Sequence, residues 1–372
     1  MEERNLHLLA LALTKGLGPI SVKNLIAYCG SPESVFSAPK GRLLKAPGIG
    51  LHSVKLVQEA ETLERAEKEL AYCQQSGIQM LTYLDEAYPH QLKFIHDAPL
   101  VLFKKGPLDL NAQPNIAIVG TRRATDYGRD QAERFAQVLA TQGINVVSGL
   151  AYGIDIAAHR ATLKAGGVTT AVLAHGLDSI YPPRHSSKAR QIFQEGALLT
   201  EYLTGTKPDA PHFPSRNRII SGICRAVLVV EAAEKGGALI TARAAFEQNR
   251  EVYALPGRLG DEFSSGCNAL IRDQVAKLVT SPQEILEDLD ICWQQHDEQS
   301  QQLKMTLSPP SVPLSGEESR VINYLTQKGE AKIDDIALHT GLTMDRLNPL
   351  LLGMEFKELI RQRPGKRFTR LP

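Results

Sequence analysis

The sequence predicts an α/β fold: a Rossmann-like, doubly wound and mostly parallel sheet, flanked by an N-terminal helical region and a C-terminal winged helix. Three observations carry this expectation. Short, nearly all-apolar runs alternate with helical stretches from Asn115 to residue 281, which is the pattern of βαβ units. Apolar residues at helical spacing precede them. Three further helical patterns and a basic, Pro-Gly-centred hairpin close the chain.

The elements follow in order. Over residues 1–80 the helical spacing is broken by Gly16-Leu17-Gly18-Pro19 and Pro47-Gly48-Ile49-Gly50, giving a small bundle similar to sterile-alpha-motif and helix-hairpin-helix modules. Glycines in such turns either end helices or bring backbone N–H groups to a phosphate, and the sequence leaves both readings open. Residues 81–109 read as a connecting segment that includes the strand-like APLVLFKKG. The Rossmann-like domain spans 110–293, with strands expected at IAIVG (116–120), INVVSG (144–149), TTAVLAHG (169–176), ALLTEY (197–202), AVLVVEAA (226–233), EVYALPG (251–257) and AKLVTS (276–281). Strands this apolar belong to a parallel sheet covered on both faces. Residues 294–316 are rich in Gln, Ser and Pro and read as a flexible linker; 317–372 read as the winged helix.

Composition sets limits on function. The 372 residues are 43% hydrophobic and 22% charged, as in a soluble globular protein. The apolar run near the N-terminus is short, is interrupted by Lys15 and follows Glu2 and Glu3, so neither a signal peptide nor a membrane span is expected and the protein reads as cytoplasmic. Five cysteines without a C-x-x-C pair argue against a disulfide framework or a cysteine zinc site and for buried free thiols. A net charge of +1 means that any nucleic-acid binding rests on a local patch.

In an open parallel sheet, ligands bind beyond the carboxyl ends of the strands. The first strand ends in Gly120-Thr121-Arg122-Arg123, where a dinucleotide fingerprint would need G-x-G-x-x-G, so no nicotinamide or flavin cofactor is expected. Two guanidinium forks beside a helix N-terminus suit a phosphate chain instead. The second ends in Ser148-Gly149, with Gly153 four residues on, and again allows close backbone approach. Asp155 and Asp178 near strand ends read as helix caps in preference to an acid/base pair. After ALLTEY come Lys207, Phe213, Arg216, Asn217 and Arg218, with Phe213 stiffened between Pro211 and Pro214. An aromatic beside cations is the unit of single-strand binding; the competing reading makes Phe213 a buried staple ahead of a helix. Gly236-Gly237 form a further turn able to cradle a phosphate.

Taken together, VGTRRATDYG, SGLAYGIDIAAH, LAHGLDSIYPP, FPSRNRIISG, GGALITARAA and LPG (255–257) resemble, in order and spacing, the motifs of the DprA/Smf family. The resemblance implies a non-catalytic protein without cofactor or metal that binds and protects single-stranded DNA in natural transformation. It also implies loading of the RecA recombinase, displacement of single-strand-binding protein, and a homodimer formed through the Rossmann-like domain near 239–270. The family's basic pocket falls here on Gly120, Thr121, Arg122, Arg123, Phe213, Arg216, Asn217 and Arg218. The family lysine ahead of the phenylalanine has no counterpart at its usual spacing, where Ala210 stands; the available lysine is Lys207.

Two rivals are weaker. Nucleotide phosphoribohydrolases on this fold carry P-G-G-x-G-T-x-x-E, whereas here Leu239 replaces the third glycine and Arg243 the glutamate. A duplex-reading regulator would need base-reading side chains on the third winged-helix helix, which is mostly Leu and Met. The wing's Arg361, Arg363, Lys366, Arg367 and Arg370 suit either a phosphate backbone or plain solvation.

Overall fold

The computed structural model describes residues 2–58, 62–291, 315–357, 359–363 and 367–370. The chain divides into two compact units, 1–294 and 295–372.

The first unit opens with helices α1 (Glu2–Leu13), α2 (Pro19–Cys29), α3 (Pro32–Ser37), α4 (Lys40–Leu43), α5 (Leu51–Gln58) and α6 (Leu63–Ser76). Local chemistry sets their ends. Pro19 and Pro32 stand in the first turns of α2 and α3, where a missing N–H costs nothing, and the Ser31 hydroxyl caps α3 by accepting from Ser34 N. Gly77, left-handed at φ 64°, ends α6. These short helices do not close a core alone. Leu8, Leu11, Val22 and Leu25 share one apolar cluster with Val101, Phe103, Leu173 and Leu198, so the expected boundary at residue 80 is crossed by continuous packing.

The stretch expected as a connection is also part of the fold. It contains β1 (Gln79–Thr82), α7 (His90–Lys93) and β2 (Val101–Lys105); β1 pairs antiparallel with β2, and β2 pairs antiparallel with β6 (Ala197–Thr200). The run from Leu100 to Phe103 is too apolar to remain a solvated linker, and adding it to the sheet satisfies its backbone while burying it.

The remaining elements of this unit are β3 (Asn115–Val119), α8 (Asp126–Thr141), β4 (Asn145–Ser148), α9 (Ile154–Lys164), β5 (Thr169–Val172), α10 (Ser186–Glu195), α11 (His212–Gly222), β7 (Ala226–Val229), α12 (Gly237–Glu247), β8 (Glu251–Ala254), α13 (Ser265–Arg272), β9 (Lys277–Leu278) and α14 (Pro282–Asp288). The sheet order is β1-β2-β6-β5-β4-β3-β7-β8-β9, and every neighbouring pair from β6 to β9 is parallel. Alternate residues face opposite layers, as the two-residue period of a strand requires. Ile116 and Ile118 join the cluster containing Phe135, Leu139 and Ile154, while Ala117 and Val119 join that of Ile219, Ile220 and Ala242. Truncating Ile118 to Ala would cost about 2–5 kcal/mol.

β3 lies mid-sheet, with β4, β5 and β6 to one side and β7, β8 and β9 to the other. The topological switch point therefore lies at the carboxyl ends of β3 and β7, where a crevice opens between diverging crossovers. Four described cysteines, Cys29, Cys73, Cys224 and Cys267, are buried free thiols; Cys292 lies outside the described residues. Among the described residues no helix is long and apolar enough to cross a membrane.

The second unit comprises α15 (Gly316–Lys328), β10 (Glu330–Lys332), α16 (Ile333–Thr340), α17 (Met344–Phe356), β11 (Ile360–Arg363) and β12 (Arg367–Arg370). A reciprocal Ser315/Glu318 capping box starts α15. The antiparallel order β10-β12-β11 and a core of Val321, Leu325, Ile336, Leu347, Met354 and Phe368 make a winged helix. Most of the expected flexible linker, 294–316, and the hairpin tip Pro364-Gly365-Lys366 lie outside the described residues.

Candidate nucleic-acid interface

The turn after β3 is built by contacts that only glycine allows. A Cβ on Gly120 would stand 2.4 Å from Ile154 Cγ1. One on Gly153, which holds φ at 77°, would stand 2.2 Å from the Thr121 carbonyl oxygen, so the β4–α9 loop packs directly on the β3 turn. Thr121 N donates to the Glu231 carbonyl at 2.8 Å. Thr125 caps α8 by accepting from Gly128 N at 3.1 Å, while its own N–H donates to the buried Glu231 carboxylate at 3.0 Å and its hydroxyl donates to the same carboxylate. Glu231 thus holds the turn from its carboxylate and from its carbonyl.

This scaffold projects Arg122 and Arg123 outward, both exposed. The Arg122 guanidinium lies 4.7 Å from the centre of the Phe213 ring, and Tyr181 packs on Phe213 at 6.3 Å. Phe213 is half-buried in the first turn of α11, so it serves the helix start and also presents a face beside a cation. The Arg123 side chain, 78% exposed, lies 5.5 Å from the Phe263 ring centre and 4.0 Å from Glu262.

The neighbouring arginines behave differently. Arg216, expected as a surface phosphate ligand, is only 4% exposed. Its guanidinium donates to the carbonyls of Gly149, at 2.8 Å, and Val172, and to Asn217 Oδ1 at 3.2 Å. Burial lowers its pKa to about 10, with Asp155 opposing the shift, so it stays charged at neutral pH. Burial pushes the Asp155 carboxyl upward, and Arg216 together with the Gly149 and Ala151 N–H donors pulls it back. Arg218 is drawn under the surface by acids: it pairs with Glu201 and, at 3.3 Å, with Asp97, leaving its side chain 18% exposed. The sequence showed four arginines at strand ends; the structure presents two of them to solvent.

Of the other expected residues, Ser148 is fully buried and donates to the Ile118 carbonyl at 2.6 Å, and Gly149 lies under the Arg216 guanidinium. Both shape the turn from beneath. Asn217 reaches the Gly237 carbonyl at 3.5 Å, tying α11 to the start of α12, where Gly236 is the cap. Lys207 is exposed on a segment pinned from three sides. Thr204 N and Oγ1 donate to the buried Glu69 of α6 at 2.8 and 2.7 Å, Gly205 N donates to Asp178 at 3.0 Å, and Gly176 N donates to the Thr206 carbonyl at 3.1 Å.

The comparisons agree with this architecture. The family model described as DNA recombination-mediator protein A matches residues 79–290, and that of the DprA winged helix domain matches 305–366. The chain belongs to the DprA/Smf family. Protein Smf of Synechocystis is 34% identical over 97% of this chain and 98% of its own length. The X-ray structure of DNA processing protein A from Streptococcus pneumoniae superposes with a TM-score of 0.67 at 35% identity, covering 78% of this chain and 99% of that one. DNA processing protein A from Helicobacter pylori, described structurally for its single-stranded DNA binding mode, gives 0.52 at 30% identity, covering 57% of this chain and 95% of that one.

Sequence reasoning passed over Phe263, Tyr181 and Tyr127 as surface aromatics of this sheet edge. The signal for Phe263 was weak, because its loop, Arg258 to Ser264, mixes charge and glycine without periodicity. In the winged helix, two wing cations already have partners: Arg367 pairs with Glu330 at 3.3 Å, and Arg370 donates to Thr326 Oγ1 at 2.8 Å.

Proposed function

We propose that this protein binds single-stranded DNA without sequence preference and without chemistry, on the surface around Gly120, Thr121, Arg122, Arg123, Lys207 and Phe213. Arg216 and Arg218 position that surface from below. The observation that carries this reading is the exposed Arg122 guanidinium set 4.7 Å from the ring centre of Phe213, a cation and a stacking face at one sheet edge. Phosphates meet Arg122 and Arg123, and a base stacks beside Phe213. The family and the strand-binding Helicobacter pylori relative support it. On the same reading the protein works in the cytoplasm in DNA processing during transformation, loads RecA while displacing single-strand-binding protein, and acts as a homodimer through the 110–293 domain. The enzyme alternative lacks support, since Arg243 stands where the hydrolase motif has its glutamate and Asp155 accepts from the Gly149 and Ala151 N–H groups.

Fluorescence anisotropy with a labelled dT oligomer and a duplex of equal length tests the proposal. Tighter binding of the single strand is expected; equal or tighter binding of the duplex sinks it.

A further inference from the structure

A cavity of about 770 Å³ opens at the switch point, where the loops after β3, β7 and β8 meet. Its lining includes Tyr127, Glu231, Arg258, Asp261, Glu262 and Phe263. The LPG motif at 255–257 builds one wall. A Cβ on Gly257 would stand 2.0 Å from Ser264 Oγ, so only glycine lets the loop fold back on itself. Gly257 is also clamped by Asn268, which accepts from its N–H at 3.1 Å and donates to its carbonyl at 3.0 Å. The Phe263 carbonyl accepts from Ala232 N at 2.8 Å, fastening the loop to the end of β7. This wall is held in place before any ligand arrives.

Resting on the single-strand reading above, we infer that this cavity is a second nucleobase subsite, in which one base of the bound strand stacks on Phe263 beyond the Arg122–Arg123 turn. The adjacent arginines diverge, Arg122 to Phe213 and Arg123 to Phe263. Those phenylalanines lie on segments leaving β6 and β8, strands on opposite sides of β3. The phosphate-binding turn therefore sits between two aromatic platforms, as a strand crossing the sheet edge requires.

The charge of the cavity selects a base over a phosphate. Asp261, Glu262 and Glu231 outnumber Arg258 in the lining, and like charge repels a phosphate. A neutral base fits better, because every DNA base offers at least one N–H edge to a carboxylate and a π-face to Phe263 and Tyr127. Recognition of this kind tolerates all four bases.

The test uses the full-length protein, a dT oligomer carrying 2-aminopurine at successive positions, and the variants Phe263→Leu, Phe263→Trp and Arg122→Glu. Phe263→Leu is expected to weaken oligomer binding about 5- to 150-fold, the loss of one stacked base, and to leave the salt slope unchanged. It should also restore the emission of a 2-aminopurine that wild type quenches, while Phe263→Trp recovers both affinity and quenching. Equal affinity of wild type and Phe263→Leu, with Arg122→Glu weakened, overturns the subsite but leaves strand binding standing. No weakening by Arg122→Glu fails the underlying reading instead. If dTMP alone binds wild type, loses binding in Phe263→Leu, and oligomer affinity stays the same, the cavity is a free-nucleotide site and the inference is overturned.

Discussion

The turn after β3 and the start of α11 look alike in sequence, each offering two arginines beside a glycine- or proline-rich turn, yet they do opposite things. At Arg122 and Arg123 the guanidiniums face solvent beside aromatic rings. At Arg216 and Arg218 they face inward, onto two carbonyls in one case and onto Glu201 and Asp97 in the other. A cation whose donors are already taken by the protein has little left for a phosphate. A cation over an aromatic face keeps its N–H edges free. Counting basic residues at strand ends therefore overstates the cations that face solvent, and their partners decide which do.

The largest expected break of this comparison is at Arg216. Arg216→Met leaves two carbonyls and Asp155 buried without their cation and should cost about 3–5 kcal/mol in urea unfolding of the whole chain. Arg122→Met should stay within about 0.5 kcal/mol of wild type. Equal stabilities for the two variants would erase the distinction.

A smaller effect concerns pH. Burial, with help from His185 and Arg216, lowers the pKa of His159 to about 3. Its folded-state pKa lies below the unfolded value, so the unfolded chain binds the extra proton. The stability is present above about pH 6.5 and is lost as pH falls toward 3, amounting to about 2 kcal/mol by pH 5. Unfolding midpoints of wild type and His159→Gln between pH 7 and pH 5 check this. Parallel curves would remove His159 as the cause.

Smaller again is the cap. Thr125→Ala removes the acceptor for Gly128 N and a donor to Glu231 and should cost about 1 kcal/mol. It should also loosen the Arg122–Arg123 turn, measurable as faster amide exchange at residues 121–128. A stability loss without faster exchange would separate the cap from the order of the Arg122–Arg123 turn.

Much of the architecture was legible because its signals were local. The strands from β3 to β8 were marked by all-apolar runs bounded by glycine, and the Gly120–Arg123 turn follows the first of them as its glycine indicates. What escaped depended on distant partners. β1 and β2 join the sheet through pairing with β6, some hundred residues away in sequence, which no local periodicity records. The inward turn of Arg216 depends on the Gly149 and Val172 carbonyls, that of Arg218 on Asp97 and Glu201, and the pinning of the Lys207 segment on Glu69 in α6. Phe213 matches neither of its sequence readings in full: it is half-buried within the first turn of α11 and not buried ahead of it, and its ring carries the Arg122 guanidinium.

The most direct measurement is the salt dependence of dT-oligomer binding by wild type and Arg122→Glu, with folding of both checked by circular dichroism. At least a tenfold loss of affinity is expected, with the slope of log K against log salt shallower by about 0.7, as for one lost phosphate contact on a single strand. Coincident curves for the two proteins would contradict the placement of the strand on the Arg122 surface.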